Sequence, residues 1–393
     1  MQNFKWPLIN DNVSDSDKKA LIKFLSEPGV RLTQGKKVQE FENKWSEWLG
    51  VSYSVFVNSG ASANYIMTAI CRDVKGAGEI IVPPLGWVSD IAAVVNLGMT
   101  PVFVDVSMEN LAITAENIEE AITENTKAIV LVHTLGFNGI NNKIIEIAKK
   151  YNLMLIEDCC ESHGATFNER KVGTLGDISN FSFYFGHHMT TIEGGMICTN
   201  DKELYDLAKL YRSHGMIREL DEENKAKYSN ENPSLNPLFT FVVPGFNMRS
   251  TEINAVIGLE QLKHLDSTIQ KRTNNLMSWL SKLDSRTFIT EFDTLGSSNF
   301  SLPLILRRPN EDAFKKICDI LDSEGIEYRK GTAGGGNQAR QPYLKKFTHK
   351  IVGNLETVNH VHDFGLYIGN HSDVNDDDIE KICLKFSQEI DNV

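Results

Sequence analysis

From about residue 14 to residue 260, short and nearly continuous apolar runs alternate with stretches whose apolar residues recur at helical spacing, an alternation compatible with few folds. The runs are SVFVNSG (54–60), EIIVPP (79–84), TPVFVDV (100–106), KAIVLVHT (127–134), LMLIEDC (153–159), ISNFSFYF (178–185) and GGMICTN (194–200). Between the first two lies ASANYIMTAICRDV, in which Ile66, Met67, Ile70 and Val74 share a helical face. Strands that are apolar on both faces need cover on both faces, which predicts an α/β fold with a mixed, mostly parallel sheet between helical layers. Beyond residue 260 the pattern changes. GLEQLKHLDSTIQKRTNNLMSWLSKL (258–283) reads as one long helix, and the remainder predicts a smaller α+β domain. The expected division is therefore a large domain, 1–260, and a small C-terminal domain, 261–393, with the polar segment 217–239 as a long surface loop.

Charge narrows the ligands. Forty Lys and Arg against 52 Asp and Glu give a net charge of -12. Such a chain repels nucleic acid and anionic membrane, so a phosphate-bearing ligand must be held by a local site. No run approaches the roughly 18 apolar residues of a membrane span, and the N-terminal stretch lacks the basic and apolar regions of a signal peptide, so the expected location is the cytoplasm. Cys71, Cys159, Cys160, Cys198, Cys318 and Cys383 are scattered without a CxxC spacing, which predicts buried free thiols rather than disulfides or a zinc site.

Sheets of this kind carry ligands beyond the carboxyl ends of their strands. VNSGASANYI places a strand, small residues and a helix start together, an arrangement that serves as an anion site or simply as a turn. IEDCCESHGA puts Glu157 and Asp158 at the end of a very apolar strand, where an ionised carboxylate needs a partner; a cationic ring nitrogen or a helix N-terminus would each suffice. Trp87 in VPPLGWVSD follows a strand end and suits either stacking on a flat cofactor or the core.

The order of these pieces, followed by FSFYFGHHMTTIEGGM (181–196) and PGFNMRSTEINAVIGLEQL (244–262), resembles the DegT/DnrJ/EryC1/StrS sugar aminotransferases, fold type I pyridoxal-phosphate enzymes of the aspartate aminotransferase kind. That family has a pattern like S-F-x-P-x-K-N-L-x-x-G-E-G-G, with its lysine six residues before the glutamate. Counting back from Glu193 puts His187 on the lysine and His188 on the asparagine, while Ser182 matches the serine. The resemblance implies a cofactor, pyridoxal 5'-phosphate or pyridoxamine 5'-phosphate. Its phosphate would be held by Gly60, Ala61, Ser62 and Ser182, together with Asn247 from a neighbouring subunit of a homodimer. Position 61 usually carries a hydroxyl, so Ser62 is expected to supply that contact. Asp158 would keep the pyridine nitrogen protonated, Trp87 would stack on the ring, and Glu161 stands where relatives place a glutamine near the cofactor phenol.

Histidine cannot form the covalent link that lysine makes with this cofactor, but it can still act as general acid or base. FGHHMTTIEGG is similar to the histidine-containing nucleotide-sugar 3-dehydratases of the family. Their reaction removes the C3 hydroxyl of a nucleotide-linked 4-keto-6-deoxy sugar and yields a 3,6-dideoxy-4-keto sugar and ammonia, with glutamate as amino donor. One subgroup uses an iron-sulfur cluster on a cysteine-rich insert; residues 199–246 contain no cysteine, which implies the other, redox-independent type, acting on GDP-4-keto-6-deoxy-D-mannose. By the same resemblance His214 and Arg218 lie in a loop that approaches the sugar; of the other candidate substrate contacts, His188 touches substrate or only packs, Arg249 serves substrate or fold, and Arg329 suits a pyrophosphate or a plain surface position. GTAGGGNQ (331–338) lacks the Lys-Ser/Thr ending of a P-loop and reads as a flexible loop on the substrate side. The alternatives are an aminotransferase using another lysine, although none lies between 172 and 201, or a non-catalytic sensor that retained the fold.

Overall fold

The computed structural model describes residues 4–332 and 334–390; Ala333, within the expected 331–338 loop, and the outermost residues of the two expected domains lie outside them. The first nine strands are β1 (Tyr53–Val57), β2 (Glu79–Val82), β3 (Thr100–Phe103), β4 (Thr126–Val132), β5 (Met154–Asp158), β6 (Thr166–Phe167), β7 (Arg170–Lys171), β8 (Ile178–Ser182) and β9 (Gly195–Thr199). They are followed by β10 (Ser301–Ile305), β11 (Tyr328–Lys330), β12 (Lys350–Ile351) and β13 (Gly365–Gly369). Eight strands form one sheet in the order β1-β9-β8-β5-β4-β2-β3-β12. From β12 to β8 the pairs are parallel, and β9 runs antiparallel to both β8 and β1. All seven apolar runs of the sequence became strands of this sheet.

Burial explains the arrangement. Every residue of β2, β5, β8 and β9 is buried, as expected for strands covered on both faces. On one side the helix Lys36–Leu49 turns Val38, Phe41, Trp45 and Leu49 inward, a helical spacing that fills the space above Phe56, Phe181 and Phe183. That helix starts at a glycine without a side-chain cap; the Glu252 carboxylate caps it instead, accepting from the amides of Gly35, Lys37 and Val38 at 3.0, 3.0 and 2.8 Å.

A second sheet, β10-β13-β11, is built after residue 300; the helix Glu356–Phe364 packs on β13 and β11, Trp279 of the helix Leu265–Lys282 donates to the Pro303 carbonyl of β10, and Leu265–Lys282 and Glu311–Glu324 both pack against Asp376–Ile390, while β12 crosses back to the edge of the large sheet. Two expectations change. The stretch 258–283 is not one helix: Glu252–Leu262 ends and Leu265–Lys282 begins across a turn at Lys263 and His264. The segment 217–239 is not a plain loop either. Capped by Asp221, the helix Glu222–Glu231 forms within it, with no buried residue, so no apolar periodicity announced it. Among the described residues no helix is long and apolar enough to cross a membrane.

Candidate active site

The carboxyl ends of β1, β4, β5 and β8 and the start of β9 share one edge of the large sheet, because β9 is antiparallel and its Gly195 pairs with both Ser182 and Val57. A cavity of about 380 Å³ opens there. Gly60, Ala61, Trp87, Asp158, Glu161, Ser182, His187 and Arg329 all line it, so residues separated by up to 269 positions in the chain converge as the motif order implied.

One end is a helix start. Ser59 caps the helix Gly60–Lys75 by accepting from the amide of Ser62, which leaves the first amides of the helix, at Gly60 and Ala61, facing the cavity. A Cβ on Gly60 would lie 2.8 Å from the Ser182 Cβ and 3.0 Å from the Cys160 Sγ, so only glycine lets the turn approach Ser182 this closely. The expected hydroxyl changes. Ser62 bonds Asn58 Oδ1 at 2.5 Å and is not part of the cavity wall, whereas Ser59, absent from the sequence-based set, is.

At the other end two carboxyl groups meet. Asp158 ends β5, and its Oδ1 accepts the Cys160 amide at 2.9 Å while its Oδ2 accepts from Asn64 and Asn180, each at 3.2 Å. Asn180 reaches it because side chains alternate along β8: Asn180, Ser182 and Tyr184 point one way, and Phe181 and Phe183 point into the aromatic core. Asp90, three residues beyond Trp87, lies beside Asp158. Burial, the charge of Asp158 and a hydrogen bond with it push Asp90 well above the usual carboxylate range. Glu157, the neighbour of Asp158, points away from the cavity, where it holds the amides of Gly173, Leu175 and Gly176 and meets His133 at 3.3 Å. The Glu161 carboxyl accepts the Leu135 amide at 2.6 Å, and burial raises it to about 8, so it carries its proton at neutral pH.

His187 faces the cavity between Tyr184 and Phe300. Its Nδ1 has no hydrogen-bond partner within the protein. Burial, reinforced by the charge of Arg272, depresses it to about 4, so at neutral pH the ring is an uncharged base. Arg272 also ties the loop down, donating to the carbonyl oxygens of Phe300 at 2.7 Å and His187 at 3.2 Å. His188 turns the other way. Buried against His163 and 3.1 Å from the Ser298 hydroxyl, it packs behind the wall instead of reaching the cavity. Arg329 reaches the cavity from β11, beside Tyr367 of β13.

The remaining candidates are not on this wall. Asn247 is exposed and bridges to Ser213, Arg249 bridges to Val57, and Arg218 is exposed beside Glu219 at 3.8 Å. His214 is exposed at a left-handed φ of 62°. Sequence reasoning missed Asp90, Arg272, Tyr367 and the N-terminal Leu8 and Ile9, which also line or brace the site. Asp90 was within reach of it, as an acidic residue one helical turn beyond the selected Trp87.

These features fit a flat, phosphate-bearing cofactor. A glycine-lined helix start and Ser182 suit the phosphate, and a pair of carboxyls without a cationic partner among the described residues suits a protonated ring nitrogen. The chain belongs to the DegT/DnrJ/EryC1/StrS aminotransferase family, whose model matches residues 14–387. It is 33% identical over 372 residues to GDP-4-keto-6-deoxy-D-mannose 3-dehydratase of Escherichia coli O55:H7, covering 93% of this chain and 95% of that one. The Salmonella typhimurium lipopolysaccharide biosynthesis protein RfbH is 31% identical, with 91% and 86% covered. Among solved structures, E. coli GDP-4-keto-6-deoxy-D-mannose 3-dehydratase with bound hydrated PLP superposes with a TM-score of 0.89 at 32% identity, covering 97% of this chain and 99% of that one. A GDP-4-keto-6-deoxymannose-3-dehydratase with a trapped PLP-glutamate geminal diamine likewise superposes with a TM-score of 0.89 at 32% identity, covering 97% of this chain and 99% of that one.

Proposed function

We propose that the protein is a pyridoxal-phosphate-dependent nucleotide-sugar 3-dehydratase. It removes the C3 hydroxyl of GDP-4-keto-6-deoxy-D-mannose and releases a 3,6-dideoxy-4-keto sugar and ammonia, and glutamate resupplies the amine. The observation that carries this reading is His187: an uncharged imidazole with an unpartnered nitrogen, facing the cavity that Gly60, Trp87, Asp158 and Ser182 also line, where the resemblance counts the family's lysine. The cofactor, in its amine form, supplies a conjugated system through which electrons reach C3 of the sugar.

The chain's own residues divide the remaining work. The Gly60 and Ala61 amides and the Ser182 hydroxyl would hold phosphate, Asp158 would pair with the ring nitrogen, and Trp87 would cover one face of the ring. Glu161 in its acid form donates toward the phenol oxygen, as a glutamine amide would. His187 takes and returns the proton at the carbon bearing the amine. With no lysine there, nothing recaptures the cofactor covalently after the hydroxyl leaves. Arg329, on the cavity rim, is placed to grip a pyrophosphate.

The reading includes a homodimer, in which Asn247, His214 and Arg218 serve the site of the partner subunit. All three are exposed and off their own cavity wall, and the same region leaves Leu235, Leu238, Phe239 and Phe241 more than half exposed, an apolar surface that a second copy would cover. It also keeps the division at residue 260, with Phe300, Ser301, Arg329 and Tyr367 of the smaller domain contributing to the cavity. The test mixes the protein with pyridoxal phosphate and glutamate, then adds GDP-4-keto-6-deoxy-D-mannose. Conversion of the aldehyde absorbance to that of the amine, followed by loss of water from the sugar and release of ammonia by mass spectrometry, is expected. An aldehyde band unchanged by glutamate would leave only a binding protein, and an aminated sugar product would make it an aminotransferase.

A further inference from the structure

Asp90 sits in the first turn of the helix Val88–Asn96, where a carboxylate ordinarily does no more than favour the helix start. Here it is 4% exposed and opens toward the cavity. One amide serves both acids: Asn64 Nδ2 lies 2.6 Å from Asp90 Oδ1 and 3.2 Å from Asp158 Oδ2, and Asn180 holds the Asn64 oxygen at 2.9 Å. Asp90 is itself within hydrogen-bonding reach of Asp158. Gly86 leaves the space for this, since a Cβ there would come 3.2 Å from Asp90 Oδ2.

The groups facing Asp90 are Asn64, Ser89, Asp158, Glu161, Cys160 and Tyr343, which include no cation. Two carboxyls so placed cannot both ionise, and the proton goes to the one with fewer donors. Asp158 accepts from a backbone amide and two asparagines, whereas Asp90 accepts from Asn64 alone.

We propose that Asp90 is a positioning residue for the cofactor's ring nitrogen: its carboxyl, in the acid form, donates a hydrogen bond to Asp158 and leaves Asp158 the single anion of the pair. An Asp158 carboxylate that accepts this bond is held in one rotamer, where it can face the protonated ring nitrogen. This rests on the function proposed above and adds to it a second acid acting through the first.

Two variants separate the roles. Asp90→Asn keeps a neutral donor of the same shape; Asp90→Ala removes it. Pyridoxal phosphate labelled with ¹⁵N in the ring is titrated into cofactor-free protein, and the affinity and the nitrogen chemical shift are read together. Asp90→Asn is expected to match the wild type in both, whereas Asp90→Ala binds roughly tenfold more weakly, the loss of about one hydrogen bond to a charged group, and moves the nitrogen signal toward the unprotonated range. Affinity lost equally in both variants would mean that Asp90 acts as an anion, and a signal unchanged in Asp90→Ala would reduce it to a helix-start residue; either overturns the proposal. Should Asp90→Ala not fold, Asp90→Asn decides: wild-type affinity and shift between about pH 6 and pH 9 uphold the acid form, and weaker binding refutes it. A wild-type protein that binds no pyridoxal phosphate defeats the parent function as well, whereas binding with the wrong variant order defeats this inference alone.

Discussion

Glu161→Gln should make the cofactor-free protein more stable at neutral and alkaline pH, and by an amount set by a proton. The carboxyl is raised from 4.5 to about 8, first by burial and then by the charge of Asp158, with only the Leu135 amide opposing. Between those two values the folded chain binds more protons than the unfolded one, so stability falls as pH rises through the window. The slope is about 1.36 kcal/mol per pH unit, which puts the cost of keeping Glu161 protonated at about 3 kcal/mol at pH 7, reaching its limit above about pH 8. Glutamine has no proton to lose and still offers an oxygen to the Leu135 amide. For a chain of this length the difference corresponds to about 4 °C in melting temperature. Melting curves of the variant and the wild type should converge near pH 5 and separate progressively to pH 8, since every other titrating group cancels in the comparison. Curves that stay parallel across this range would show that Glu161 is ionised in the folded protein, and the argument from burial would fail.

His187→Asn should lower ammonia release by about 10² or more while leaving the cofactor titration intact, because proton transfer is lost and no phosphate contact is touched. Since His187 is held near 4, the unfolded chain takes up its proton first on acidification; the stabilising contribution of the neutral ring, full above pH 6.5, is lost as pH falls toward 4, and this part of the acid limb should be missing from His187→Asn melting curves. Gly60→Ala forces a Cβ against Ser182, an overpacking cost of about 1–3 kcal/mol, and should appear as weakened pyridoxal phosphate binding in a fluorescence titration; unaltered affinity would remove the turn from the phosphate site. Glu252→Ala strips three amides at the start of the helix Lys36–Leu49 of their acceptor and should cost about 2–3 kcal/mol in urea unfolding, whereas an unshifted midpoint would mean that water replaces the carboxylate at no cost.

The parts of this molecule that were legible in the sequence are those that one segment determines by itself. Seven apolar runs were readable as strands because a doubly covered strand is apolar throughout, and His187, which lines the cavity, could be singled out because its distance from Glu193 is fixed along the chain. What was not legible depends on neighbours distant in sequence. Ser62 was expected at the phosphate for its hydroxyl, yet that hydroxyl bonds Asn58, four residues back, and its amide is taken by the Ser59 cap, so the cavity wall holds Ser59 and not Ser62. For His188 the sequence leaves substrate contact and packing equally open, because the partners that decide it, Ser298 and His163, lie more than 20 residues away on either side. The helix Glu222–Glu231 buries nothing within the chain, so no hydrophobic period marks it.

The acid pair shows the same limit at the level of chemistry. Asp158 raised the question of what balances a buried charge, and a bound cation was one answer. The fold supplies part of another before any ligand arrives: Asp90 comes from β2's following helix, Asn64 from the helix after β1, and Asn180 from β8, and each is an unremarkable polar residue in its own segment. Brought together, they let one carboxyl remain charged by keeping its neighbour neutral. The electrostatics of the site therefore belong to the sheet order β8-β5-β4-β2, which sets these segments side by side, rather than to any motif that can be read along the chain.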